Sequence, residues 1–140
     1  MKKGFYTLLV AGVFSVIGCN DDENPFQTTC DEVVILDSDR FKDAITDFFT
    51  LIDVTIEGDC MTVEYSSSGC DGNSWVMELI DAEAIKESNP VQRDLRLLLK
   101  NEELCRAVFT KEISFDLTLL KTSDSEILLN LEGELYAYTY

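Results

Sequence analysis

From Cys105 to Leu119 the chain alternates apolar and polar residues almost without interruption. Cys105, Ala107, Phe109, Ile113, Phe115, Leu117 and Leu119 share one parity. Arg106, Thr110, Glu112, Ser114, Asp116 and Thr118 share the other, with Val108 as the single apolar intruder. A repeat of two matches a strand with one face buried, and a helix would scatter these residues around its axis. Lys111 interrupts the buried parity, so the segment is expected either to bend there or to form two strands that change sheets. The same period recurs in Ile52, Val54 and Ile56 and in Met61, Val63 and Tyr65. Gly58-Asp59 between those two runs predicts a hairpin. Trp75–Ile80, Leu95–Leu99 and Ile127–Leu131 read as further strands, Val33–Leu36 as a short one, and Ser66–Gly69 with Asp71–Asn73 as a loop around Cys70. Glu132-Gly133 turns the chain into a last strand, where Tyr136, Tyr138 and Tyr140 share a face expected to be core. Trp75 has the parity of Met77 and Leu79 and is expected to join them.

These patterns predict an all-β domain: an antiparallel β-sandwich or partly open barrel of about seven or eight strands. One short helix near residues 39–50 is compatible with the spacing of Phe41, Ala44, Ile45, Phe48, Phe49 and Ile52. Asp37-Ser38-Asp39 would cap it, although Thr46, Phe48, Phe49 and Thr50 are poor helix formers.

The first residues obey a different rule. Met1-Lys2-Lys3-Gly4 is followed by an apolar run of 13 residues, Phe5 to Ile17, and then by Gly18-Cys19. A transmembrane helix needs about 20 residues. A basic start, a short apolar core and a small residue at the join are the parts of an export signal. Val16-Ile17-Gly18-Cys19 resembles the lipobox of bacterial lipoproteins, which implies cleavage after Gly18 and a lipid-modified Cys19. Residues 1–18 are then the signal peptide, 19–30 an acidic tether and 31–140 a single β domain. Asp21, Asp22 and Glu23 resemble the acidic export signal of surface-displayed lipoproteins in Bacteroidetes-type bacteria. The resemblance implies an outer-membrane protein held by its lipid and facing the cell exterior.

The chain has 27 acidic and 11 basic residues, and two of the basic ones precede residue 19. Such a polyanion repels nucleic acid and anionic lipid headgroups, so no nucleic-acid partner is expected. With Cys19 taken by lipid, Cys30, Cys60, Cys70 and Cys105 remain. Four cysteines in an exported chain imply two disulfides with three possible connectivities. Cys30 precedes the first apolar strand and Cys60 opens a hairpin strand. Cys70 lies in a loop and Cys105 starts the long alternating segment. That placement favours Cys30–Cys60 with Cys70–Cys105, and Cys60–Cys105 with Cys30–Cys70 is the rival.

No histidine is present, and Ser66, Ser67 and Ser68 lack a G-x-S-x-G frame, so no catalytic nucleophile is assigned. With 27 acids, the existence of a carboxylate pair says nothing about glycoside hydrolysis. Asp37-Ser38-Asp39 and Asp71-Gly72-Asn73 place oxygen donors in turns. Neither continues into a D-x-[DN]-x-[DN]-G loop, and a helix cap and a hairpin turn account for them. No metal site, cofactor or catalytic residue is expected.

Gly58-Asp59-Cys60-Met61, Ser68-Gly69-Cys70-Asp71-Gly72, Leu104-Cys105 and Phe115-Asp116-Leu117 together resemble the pattern of small uncharacterised lipoproteins of flavobacteria and other Bacteroidetes-type bacteria. The likeness covers roughly residues 30–140 and implies a location rather than an activity. The expected function is a non-catalytic binding or structural domain with a protein or glycan partner. The alternative is an accessory or inhibitor module that docks on an exported hydrolase.

The anchor is testable directly. Cys19→Ala should abolish incorporation of a fatty-acid probe during growth, and equal labelling of wild type and mutant would exclude a lipobox.

Overall fold

A computed structural model describes residues 29–140. The signal segment, Cys19, and Asp21, Asp22 and Glu23 lie outside the described residues. The elements are β1 (Glu32–Val33), β2 (Ile35–Leu36), α1 (Ser38–Asp43), β3 (Thr50–Glu57), β4 (Cys60–Gly69), β5 (Val76–Lys86), β6 (Gln92–Lys100), β7 (Ala107–Asp116), a 3-10 turn (Thr118–Leu120), β8 (Glu126–Leu131) and β9 (Glu134–Thr139).

They form the expected two-sheet sandwich. The first sheet has the order β1-β7-β4-β3 and the second β2-β5-β6-β8-β9. The inward parities named above meet between them: Met61, Val63 and Phe115 from the first sheet, Leu79, Leu95, Leu97, Ile127, Leu129, Leu131 and Tyr138 from the second. Burying one such side chain contributes roughly 1.5–3 kcal/mol, which is why the period-two pattern decides the register. Tyr138 is fully buried, and Tyr136, Tyr140 and Trp75 pack against the core.

Strand directions are mixed. The long pairings β3/β4, β4/β7, β5/β6 and β8/β9 are antiparallel. Three shorter ones, β1/β7, β2/β5 and β6/β8, are parallel. The run Val33–Leu36, read as one strand, is two. Val34 is buried and its N–H donates to Asp116 O at 3.1 Å. The chain crosses there from the first sheet to the second.

Three expectations change. The helix ends at Asp43, because Ala44 adopts an extended backbone (ψ 138°). Asp37 caps its start by accepting the N–H groups of Asp39 and Arg40, the usual way to satisfy orphan donors. Segment 105–119 neither bends nor changes sheets at Lys111: β7 runs unbroken beside β4 from Gly69↔Ala107 to Cys60↔Asp116. Lys111 lies opposite Tyr65, and its Nζ reaches Asn73 Oδ1 at 3.3 Å. The regular alternation stops at Asp116, since the 3-10 turn buries Leu117 and Leu120 and leaves Leu119 outside. Finally, Ser66–Gly69 belongs to β4 and not to the loop, each residue paired with β7.

Helix α1 explains a break in the pattern. Leu79-Ile80 and Leu97-Leu98-Leu99 are buried on both parities. Helix α1 packs on β5 over the outer face of the second sheet, and Arg40 pairs with Glu78 on that face. Arg96 donates to the carbonyl of Phe41 at 2.8 Å.

Beneath the other end of β5 lies a buried ion pair. Arg93 Nε donates to Asp81 Oδ2 at 2.9 Å and Arg93 Nη2 to Oδ1 at 2.6 Å. Asp81 is fully buried and also accepts the N–H of Glu83. The hydrogen bonds it donates to Asp81 hold the Arg93 guanidinium above its ordinary pKa. Removing one partner of such a pair strands a charge, typically at a cost of about 3–5 kcal/mol. Arg93→Ala should therefore lower stability by that amount in denaturant titrations, whereas Asp81→Leu with Arg93→Met should recover most of it. An Arg93→Ala loss below about 1 kcal/mol would show that the pair does not act as a buried unit.

Candidate functional site

Strand β4 spans the sandwich from end to end. Its first residue, Cys60, is bonded to Cys30, with Cα atoms 5.7 Å apart. Cys70, directly after its last residue, is bonded to Cys105 at 4.7 Å. The described chain enters at Thr29–Cys30, so the Cys60 end is proximal to the preceding segment. The Cys70 end is distal, about 30 Å away at roughly 3.3 Å per residue.

The proximal end is polar and self-satisfied. Tyr138 donates to Asp59 Oδ1 at 2.6 Å, and Lys121 Nζ lies 2.8 Å from the same oxygen. The Lys121 ammonium, and then the Tyr138 hydroxyl, keep the Asp59 carboxyl below its ordinary pKa. Burial and Asp59 push the Tyr138 phenol up. Lys121 also sits 5.2 Å from the centroid of the Tyr140 ring, within cation–π range. Its chemistry is that of a structural clasp: Asp59 is already engaged by two donors.

The distal end is organised by Glu103. Its Oε2 accepts the N–H groups of Cys70 at 2.5 Å, Asp71 at 3.1 Å and Gly72 at 3.0 Å. Its Oε1 accepts the Ser74 hydroxyl at 2.7 Å. Successive backbone N–H groups converging on one anion form a nest, here filled by the protein's own carboxylate. Gly72 makes the turn possible: its φ is +69°, and a Cβ there would meet Lys111 and Trp75. Asp71 closes the loop by accepting the N–H of Asn73 at 2.8 Å. The Trp75 indole N–H is buried beneath this loop with no acceptor among the described residues.

Segment 44–49 caps the same end. Asp47 N–H donates to Leu99 O at 2.8 Å, and Leu99 N–H to Thr46 Oγ1 at 2.8 Å. Asn101 N–H donates to Asp47 Oδ2 at 2.7 Å, and Ser67 Oγ to Phe48 O at 2.7 Å. The Asn101 amide ties this segment to β4 by donating to Ser68 O at 2.8 Å. Phe49 turns inward against Tyr65 edge-on, with centroids 6.4 Å apart. Phe48 and Ile45 turn outward, 82% and 94% exposed. Leu104 is 94% exposed and Val108 72%. A solvent-open concavity of about 420 Å³ is lined by Thr46, Asp47, Phe48, Phe49, Leu51 and Glu132.

Among the residues singled out from the sequence, Cys30, Cys60, Cys70 and Cys105 are brought together in two pairs. Cys19 and the acidic triplet lie outside the described residues. Asp37 serves as a helix cap and Asp71 as a turn. Sequence reasoning missed Glu103, which no motif marks, and it read Ile45 and Phe48 as part of a helix face. The helix-poor composition of 46–50 was the available signal that these side chains need not be buried.

The Ser74 hydroxyl, with the Gly72, Asp71 and Cys70 N–H groups, lowers the Glu103 pKa to about 2 against an ordinary 4.5. Its contribution to stability is complete above pH 4.5 and is lost as pH falls towards about 2. Wild type should thus lose more stability over that window than Glu103→Gln, and the two denaturation curves should converge near pH 2. Parallel curves would show that the ionised carboxylate does not hold the loop.

Solved structures share this fold. A NigD-like immunity protein from Bacteroides caccae aligns with a TM-score of 0.56 at 11% identity, over 76% of this chain and 58% of its own. A protein of unknown function, DUF1344, from Bacteroides vulgatus aligns at 0.50 and 18% identity, over 78% and 55%. A putative toxin-related protein from Parabacteroides distasonis aligns at 0.51 and 13%, over 78% and 59%. The chain spans well under two thirds of the length of each. No family model and no curated protein matches the sequence. The shared property is the two-sheet architecture, seen here in proteins from Bacteroides and Parabacteroides.

Proposed function

We propose that this chain is an outer-membrane lipoprotein, anchored through Cys19 and facing the cell exterior, whose β domain binds a protein partner without catalysing a reaction. The observation that carries the binding reading is the distal end. Ile45 and Phe48 are 94% and 82% exposed, yet the segment that carries them is tied to β4, β6 and Asn101 by hydrogen bonds at Thr46, Asp47 and Phe48. Large apolar side chains presented on an ordered backbone are what a docking surface requires, since little conformational entropy remains to be lost. The anchor is supported by Lys2-Lys3, the short apolar run and Gly18-Cys19, and surface display by Asp21, Asp22 and Glu23.

A second reading is an accessory or inhibitor module that docks on an exported hydrolase or toxin. The fold shared with a NigD-like immunity protein favours it.

Protease shaving of intact cells, paired with pull-down from gently solubilised membranes, tests both. The reading predicts cleavage on intact cells, weaker when Asp21, Asp22 and Glu23 are changed to alanine, and a stoichiometric protein partner. Resistance on intact cells with cleavage in periplasmic extracts would reverse the orientation. No stoichiometric partner would overturn the binding reading, and a hydrolase or toxin as that partner would select the inhibitor module.

A further inference from the structure

The distal concavity combines two kinds of surface. Phe48, Phe49 and Leu51 are apolar, and Asp47 and Glu132 carry carboxylates at its margin. Asp47 Oδ2 is engaged by the Asn101 N–H. The other Asp47 oxygen and the Glu132 carboxylate have no hydrogen-bond or ion-pair partner among the described residues. A lysine or arginine side chain has the matching composition, an aliphatic stem with a cationic head. Its head could also lie over the exposed Phe48 ring, a contact worth roughly 0.5–1 kcal/mol at such sites.

The surroundings repeat this pairing on a larger scale. Leu104, beside the Cys70–Cys105 bond, and Val108 on β7 are exposed as well. Residues 29–140 carry 24 acidic and nine basic side chains. At the distal end Lys100 is paired with Glu102 at 3.1 Å, Lys111 is turned to Asn73, and Arg106 stands exposed beside Cys105 at the start of β7, across β4 from β3. Two other occupants fit worse. A second copy would bring together two surfaces of like charge. A membrane would set anionic headgroups against the same carboxylates, and the chain leading to the anchor joins the domain at the proximal end, about 20 Å along β4 from the residues opposite the concavity.

We infer that the distal end binds a cationic polypeptide carrying exposed apolar side chains, and that the concavity between Asp47, Phe48 and Glu132 receives one of its lysines or arginines. This rests on the binding reading above and adds to it the chemistry of the partner and the place where it docks. Long-range attraction steers the encounter, and the apolar contacts hold the complex.

The test is calorimetric titration of the detergent-solubilised lipidated protein with a synthetic amphipathic Lys/Leu peptide. Its Glu/Leu counterpart and a Lys/Gly peptide serve as comparison probes. Wild type should bind the Lys/Leu peptide and neither of the others measurably. Glu132→Gln with Phe48→Ser should weaken binding at least about tenfold, equivalent to ~1.4 kcal/mol. Asp124→Asn with Leu119→Ser makes the same changes of charge and polarity near the proximal end and should leave affinity within about twofold, well under that 1.4 kcal/mol. Asp47→Asn keeps an acceptor for Asn101 and should weaken binding by itself, separating lost recognition from lost structure. Absence of wild-type binding, or equal weakening by the proximal pair, overturns the inference. If the membrane pull-down still yields a partner in that case, the binding reading stands and only the docking chemistry fails. If both experiments fail, both are overturned.

Discussion

The architecture depends on β4 being held at both of its ends. Cys60 ties its start to Cys30, and Cys70 ties the residue after its end to Cys105. The sequence separations are 30 and 35 residues. By chain-entropy estimates loops of that size contribute roughly 3–4 kcal/mol each, against a typical total of about 5–15 kcal/mol. Between the two bonds, β4 pairs with β3 on one side and β7 on the other. It also sends Met61, Val63 and Tyr65 into the core. The proximal bond secures the entry of the chain. The distal bond brings segment 103–105 beside the 70–74 loop, where Glu103 gathers that loop's N–H groups. With the loop and Asn101 in place, segment 44–49 has a fixed base to lie on.

Charge is distributed in keeping with this division. The acidic groups that matter to folding are matched: Asp81 by Arg93, Asp59 by Lys121 and Tyr138, Glu103 by backbone donors and Ser74. A buried carboxylate without such partners would carry a desolvation penalty of several kcal/mol. Near Phe48, Asp47 has one carboxylate oxygen engaged by the Asn101 N–H, and Glu132 has no hydrogen-bond or ion-pair partner among the described residues.

Much of the fold was legible because burial on one face of a strand imposes a period of two. Met61-Val63-Tyr65, Leu95-Leu97-Leu99 and Ile127-Leu129-Leu131 all obey it, and Gly58-Asp59 and Glu132-Gly133 mark their hairpins. The pattern misled where a third layer or an edge intervened. Leu98 and Ile80 are buried on the outer face because α1 covers the second sheet. Lys111 stays on the inward parity of β7 because it reaches out to Asn73. Parallel pairing of β6 with β8 leaves no local mark, since the register of distant strands is set by tertiary packing. The candidate site was least legible. Glu103 acts through backbone groups that any sequence supplies, and exposed Phe48 looks like core until the helix is seen to stop at Asp43.

The disulfide-held strand separates the proximal end, where the described chain enters the domain, from a distal end where Ile45 and Phe48 are exposed close to Asp47. Site-specific photo-crosslinking on living cells tests this division most directly. A photoreactive residue is placed at position 48 or, for comparison, at position 119 near the proximal end. The account predicts a discrete crosslinked protein from position 48 and none from position 119. Equal crosslinking from both positions, or crosslinking from position 119 alone, would contradict it.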